Sequence, residues 1–157
     1  MRVVYTGEEI DTASVSCFLA GPTPRDSGVS SWRKDAISMF SKLGFDGILY
    51  VPEFRDKSYY DVDTGINEMK WDQCALESST VVMFWIPRSS DMLGLSTNVE
   101  FGYMLCKGNF IYGRPDDAFR CQFLDFLYRD KLGREYCSTL ESTIRGVIKY
   151  LKDGNYE

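Results

Sequence analysis

The chain has 157 residues, of which 44% are hydrophobic, 15% aromatic and 26% charged, the composition of one folded domain with a substantial core. Lys and Arg number 18 against 23 Asp and Glu, a net charge of −5. Such a surface repels phosphate backbones and anionic lipid, so nucleic acid and membrane surfaces are excluded as general partners. Histidine is absent, which removes Ser-His-Asp triads, Cys-His dyads, HExxH zinc sites and His-based iron sites together. Acid–base chemistry is left to carboxylates, Tyr, Lys or Cys.

In chain order, Val3 to Tyr5 reads as an edge strand and Ser16 to Ala20 as a short buried strand, followed by the loop Gly21 to Ser31. Trp32, Ala36, Met39, Phe40 and Leu43 share one face of a helix over 31–43. Ile48 to Val51 is a strand stopped by Pro52, and 53–65 has no period and reads as a loop. A helix over 66–77 precedes the strand 80–86, apolar throughout as in a parallel sheet covered on both faces. The segment 88–96 is a loop, and 97–107 is helical. Phe110 to Tyr112 is a strand, and helices over 116–128 and 138–152 complete the chain, the last with Ser138 and Glu141 at a capping-box spacing. Alternating strands and helices predict one α/β domain with an open parallel sheet. Ligands of such sheets sit beyond the carboxyl ends of the strands, which selects the loops 21–31, 52–65 and 87–98.

The longest apolar run, Val81 to Ile86, has six residues, against about 20 needed to span a bilayer. The first residues carry no apolar signal segment. The cysteines are Cys17, Cys74, Cys106, Cys121 and Cys137, an odd count with no CxxC pair, so the expectation is free thiols in a cytoplasmic protein.

Glu100 lies where the loop after the apolar strand enters a helix, and in the first turn the helix dipole keeps a carboxylate ionised, as a glycosyl-accepting nucleophile requires. Thr97-x-x-Glu100 is equally a capping-box spacing. Asp72 is a second carboxylate, alternatively a solvated helix face; Asp91 sits in the third loop, alternatively as a turn residue. Asp61 to Gly65 lacks the spacing and the bidentate Glu of a calcium loop. The first loop, with Arg25, Ser27, Ser30 and then Arg33, suits a sugar hydroxyl or a phosphate, or ends simply in a Ser cap. Trp32, Trp71, Trp85, Tyr59 and Tyr60 are aromatic surfaces for a base, with Trp85 the better core residue and Tyr59 and Tyr60 the better pocket residues.

An ordered set of motifs carries a resemblance: Phe18-Leu19-Ala20-Gly21-Pro22-Thr23-Pro24-Arg25, Ser31-Trp32-Arg33, Gly44-Phe45-Asp46-Gly47, Val51-Pro52-Glu53, Trp71-Asp72, Phe84-Trp85-Ile86-Pro87-Arg88 and Thr97-Asn98-Val99-Glu100-Phe101-Gly102. Over roughly residues 15 to 120 the chain resembles the nucleoside 2-deoxyribosyltransferase-like family. The resemblance implies a flavodoxin-like α/β fold of about five parallel strands flanked by helices, with further C-terminal helices. It implies cleavage of a nucleoside or nucleotide N-glycosidic bond, with Glu100 as nucleophile and Asp72 beside the base as proton donor. Gly21, Pro22, Arg25, Ser30, Trp32, Glu53, Tyr59, Asp91 and Asn98 are implied on the substrate. No metal or cofactor is required, and the implied assembly is a homodimer or larger homo-oligomer. Two other activities fit the same residues: a nucleoside 5′-monophosphate N-glycoside hydrolase and a non-catalytic nucleotide-binding module.

Overall fold

A computed structural model describes residues 1–24, 29–56 and 62–154. Five strands, β1 (Arg2–Tyr5), β2 (Ser16–Ala20), β3 (Ile48–Val51), β4 (Val81–Trp85) and β5 (Phe110–Gly113), form one all-parallel sheet in the order β1-β3-β2-β4-β5. The helices are α1 (Trp32–Lys42), α2 (Val62–Ser78), α3 (Leu95–Leu105), α4 (Gln122–Leu132) and α5 (Leu140–Lys152). This is a flavodoxin-like arrangement. Among the described residues no helix is long and apolar enough to cross a membrane.

The central strands are buried on both faces because every residue in them is small or apolar. Their side chains alternate between two cores. Cys17, Leu19, Val81, Met83 and Trp85 face Ala36 and Phe40 of α1 and Ile144 and Val147 of α5. Phe18, Ala20, Val82 and Phe84 face Ala75 and Leu76 of α2, Phe101 and Met104 of α3, and Leu124 and Tyr128 of α4. Phe101 is the centre of that second core, meeting Phe84, Phe110 and Tyr112 edge to face at centroid distances of 5.0 to 5.1 Å.

The connection from β2 runs to β3 on one side, and the connection from β3 returns past β2 to β4 on the other. The order therefore reverses between β2 and β4, and the crevice at such a switch point is where open α/β sheets bind ligands. Ala20 pairs with Phe84 at the carboxyl end, so the loops that follow these two strands leave side by side.

Four helices differ from the sequence reading. Helix α2 starts at Val62 rather than Ile66, since the sequence from Asp63 to Gly65 carries no apolar period. Helix α3 starts at Leu95 rather than Thr97. The cap of α5 is Thr139 with Ser142, which bond reciprocally, in place of Ser138 with Glu141. Helix α4 is also shifted toward the C-terminus, starting at Gln122 and ending at Leu132.

Candidate active site

The loop after β2 is pressed against the end of β4. At Gly21 φ is +150°, and a Cβ there would stand 2.1 Å from the Trp85 carbonyl oxygen and 2.9 Å from the Trp32 ring. Only glycine lets the backbone pass so close. Pro22 is buried, and its carbonyl accepts a hydrogen bond from Trp32 Nε1 at 3.0 Å. On the other side Pro22 packs on Gly94, where a Cβ would meet the proline Cβ at 2.9 Å. Gly94 caps α3 with φ +60°, so the entry to α3 and the loop after β2 are locked together across the switch point.

That entry overturns the capping box at Thr97 and Glu100. With Gly94 as N-cap, Thr97 lies inside the helix and is 1% exposed. Glu100 falls in the second turn, not the first, on the flank of the buried stripe Thr97, Phe101 and Met104. The dipole therefore acts on it less strongly than the sequence reading supposed.

Three carboxylates share the sheet side of α2 and α3. Asp72 is half-buried, four residues before Leu76 and three before Ala75, both of which face the sheet. Its Oδ1 is buried with no hydrogen-bond partner among the described residues. Burial pushes its proton affinity up to about 7, the negative charges of Glu100 and Glu68 add to the rise, and the Arg33 cation opposes it. Glu100, also half-buried, is raised by burial and pulled back by Arg33. Glu68, one turn before Asp72, is raised by burial. The Glu100 charge thus works with burial to raise the proton affinity of Asp72, while Glu100 itself is raised by burial alone.

Arg33 is the cation that faces this cluster. It is 1% exposed. Its Nε donates to the Leu19 carbonyl at 2.9 Å, Nη2 to the Gly21 carbonyl at 2.7 Å, and Nη1 to Thr23 Oγ1 at 3.0 Å and to Glu53 Oε1 at 2.8 Å. The same Glu53 oxygen accepts from the Ser31 hydroxyl at 2.5 Å, while Ser31 caps α1 by accepting from the Arg33 backbone N–H.

The remaining sequence candidates divide. Gly21 and Pro22 form the floor of the switch point, and Glu53 commits Oε1 to Ser31 and Arg33. Trp32 is buried, with its indole N–H spent on Pro22 and the Arg33 guanidinium 4.6 Å over its ring, so it is a wall of the core and not a free stacking surface. Trp85 is likewise core, and Trp71 donates to the Glu8 carbonyl at 2.7 Å. Ser30 is exposed, and Asn98 is exposed with its Oδ1 accepting from Arg88 Nη2 at 2.6 Å. Asp91 is exposed and its hydrogen-bond contact among the described residues is the Ser90 hydroxyl, at 3.3 Å. Arg25, Ser27, Tyr59, Tyr60 and Asp61 lie outside the described residues.

Beside the switch point a cleft of about 500 Å³ opens between Pro87–Ser90 and Pro115–Phe119. A second groove, of about 570 Å³, runs along the outer face of α2 over Ile66, Met69 and Cys74, on the opposite side of the helix from Asp72.

Sequence reasoning left Glu68 out of the site and gave Arg33 only a generic charge. A signal for both existed. Glu68, Asp72, Ala75 and Leu76 fall on one helical stripe, whereas Ile66 and Met69 on the other are 56% and 70% exposed. A helix that turns carboxylates inward and apolar residues outward is inverted relative to an ordinary surface helix. An Arg in the first turn of α1, where the helix dipole disfavours a cation, likewise needs a specific anionic partner.

The chain is thus a flavodoxin-like α/β protein with half-buried carboxylates of raised proton affinity on α2 and α3. A family model described as nucleoside 2-deoxyribosyltransferase like matches residues 14–118, a span that holds every carboxylate of the cluster, Arg33 and both locked loops. The chain belongs to this family. No curated protein matches it.

Proposed function

We propose that residues 1–157 form one nucleoside 2-deoxyribosyltransferase-like domain that cleaves the N-glycosidic bond of a (deoxy)nucleoside and transfers the sugar, with Glu100 as nucleophile and Asp72 as proton donor. A Glu100 carboxylate oxygen attacks C1′ as the bond from C1′ to the base nitrogen breaks. The bond's electron pair goes to the base, which takes the Asp72 proton, leaving a glycosyl ester on Glu100. In the second step the nitrogen of an incoming base attacks C1′, the ester bond breaks, and Asp72 takes up the acceptor's proton. Two displacements retain the anomeric configuration.

The observation that carries this reading is the buried Oδ1 of Asp72, without a hydrogen-bond partner among the described residues and within the field of the Glu100 charge. A buried carboxyl without a donor is held neutral at some cost, and a neutral carboxyl next to a carboxylate is the division of labour that glycosidic cleavage requires. Family membership supplies the substrate class, a small nucleoside.

The same reading takes the assembly as a homodimer or larger homo-oligomer. Leu95, Val99 and Tyr103 form a stripe along the outer face of α3 and are 72%, 74% and 43% exposed. Tyr103 bonds to Glu77 of α2, a helix whose outward side carries the exposed Ile66 and Met69. A second copy covering it would bury an apolar area next to the site.

The test is to incubate the protein with a deoxynucleoside, with and without a second free base. Exchange that depends on the acceptor supports transfer; free sugar formed equally without it indicates hydrolysis. Glu100→Gln lowers turnover by several orders of magnitude with the fold intact. The wild type, trapped without acceptor, carries a pentosyl adduct on the Glu100 peptide. Near wild-type turnover in the variant refutes the assignment.

A further inference from the structure

Three arginines are buried among the described residues: Arg33, Arg88 and Arg114. Arg33 pairs with Glu53 and Arg114 with Asp125, each at 2.8 Å. Arg88, which is 7% exposed, has no carboxylate at ion-pair distance among the described residues. It spends two of its five guanidinium N–H groups on uncharged acceptors, Nη2 on Asn98 Oδ1 at 2.6 Å and Nη1 on the Arg120 carbonyl at 3.3 Å. Its Nε is buried with no hydrogen-bond partner among the described residues. A buried cation with neither a counter-ion nor a full set of acceptors carries a desolvation cost, and a bound anion offsets it.

We propose that the cleft between the ends of β4 and β5 is a phosphate-monoester site, with Arg88 as its cation and Asn98, Ser89 and Ser90 as its further donors. The cleft holds about 500 Å³ and Arg88 lines it. The site does not rest on the glycosidic reading, because none of its residues belongs to the carboxylate cluster.

The two walls follow the carboxyl ends of neighbouring parallel strands, where open α/β sheets take their ligands. They are stapled together, since the Phe119 backbone N–H donates to the Arg88 carbonyl at 2.9 Å. Asn98 gives its Oδ1 to Arg88 and keeps both Nδ2 hydrogens. The Ser89 and Ser90 hydroxyls stand exposed on the rim. A guanidinium fork with an amide and two hydroxyls offers more donors than the two oxygens of a carboxylate take up, and it suits the three oxygens of a phosphoryl group. The remaining walls are apolar, from Pro87, Pro115, Ala118 and Phe119, and have room for the organic part of a monoester. The exposed Asp117 on the wall after β5 repels a second phosphate, which disfavours a diphosphate or longer chain. Asn98 and Glu100 are two positions apart on α3, about 200° around the helix, so the phosphate site and the Glu100 carboxylate lie on different flanks of α3.

The experiment is isothermal titration of the full-length protein with inorganic phosphate at fixed ionic strength, with chloride as the control anion. Saturable binding of one phosphate per chain is expected in the wild type. Arg88→Gln is expected to weaken it by about tenfold or more. Ser89→Asp, a substitution on the exposed rim, is expected to weaken it similarly by repulsion, and it decides alone if Arg88→Gln does not fold. A second arm compares deoxynucleosides with their 5′-monophosphates. Monophosphates that bind the wild type more tightly than the nucleosides, and lose that advantage in the variants, identify the phosphoryl group as the substrate's own. Equal affinities, with phosphate binding unchanged by bound nucleoside, identify a separate phosphate ligand. A wild type that binds neither inorganic phosphate nor the monophosphates saturably, or binds them no more tightly than the variants do, overturns the proposal. Binding is read without turnover, so the result stands whether or not glycosidic cleavage is found.

Discussion

Asp72→Asn is expected to make the protein more stable and less active, with the gain in stability growing with pH. In the unfolded chain an aspartate titrates near about 3.9; in the folded protein Asp72 is pushed up to about 7, chiefly by burial. Below about pH 4 both states hold the proton and Asp72 contributes no difference. Between about pH 4 and 7 the unfolded chain ionises while the folded one does not, so folding loses stability as pH rises. Above about pH 7 both are ionised and the loss is constant. Three pH units at about 1.4 kcal/mol each amount to about 4 kcal/mol. Asp72 is half-buried, and water at the crevice screens part of that, leaving about 2–4 kcal/mol. Asparagine has the same shape and no titration, so the variant escapes this loss. For a chain of this length the gain at pH 8 is about 4–16 °C in Tm. The assay is thermal unfolding of both proteins at pH 4, 5.5, 7 and 8. The buried amide adds an offset of its own, but that offset does not vary with pH, so the diagnostic is the slope of ΔTm. A ΔTm that is flat from pH 4 to 8, or that falls, refutes the reasoning.

Two further substitutions test the frame around the site. Gly21→Ala places a methyl carbon 2.1 Å from the Trp85 carbonyl at a φ of +150°. It is expected to cost about 3 kcal/mol or more, read as a large drop in Tm or loss of soluble protein; a Tm within about 2 °C of wild type would contradict the close approach. Val99→Asp puts a charge in the middle of the exposed apolar stripe of α3 and should convert the proposed homo-oligomer to a monomer in light scattering while the circular dichroism stays the same. An unchanged mass means that this face is not the interface.

Most of the fold was legible in the sequence, for a physical reason. Strands such as Val81–Trp85 are continuous apolar runs ended by proline, and α5 repeats Ile144, Val147, Ile148 and Leu151 on one face, so both elements state their own burial. What escaped was the start of each site helix. Helix α3 begins at a left-handed glycine packed on Pro22, a contact between loops 72 positions apart that no local pattern encodes. Thr97 and Glu100 imitate a cap because the spacing is right, but Thr97 is drawn into the core instead. The start of helix α2 is not marked in the sequence, because Asp63, Thr64 and Gly65 carry no apolar period. The motif positions Gly21, Pro22, Asp72 and Glu100 were legible as candidates; that Trp32 and Glu53 turn inward to serve Pro22 and Arg33 was not, since it depends on side-chain direction.

Glu68, Asp72 and Glu100 stand where α2 and α3 would otherwise bury apolar side chains, and Arg33 offsets only part of the charge they bring together. A carboxylate that served as a cap or an ion-pair partner would be held below its usual proton affinity, and neutralising it would cost stability. Asp72 is held above it. Replacing it with a neutral isostere should therefore move stability up and turnover down, and a structural role permits no such opposition. Raised proton affinities of this kind cluster at functional sites, which is the physical argument for proposing the proton transfer at Asp72 rather than at the exposed Asp91.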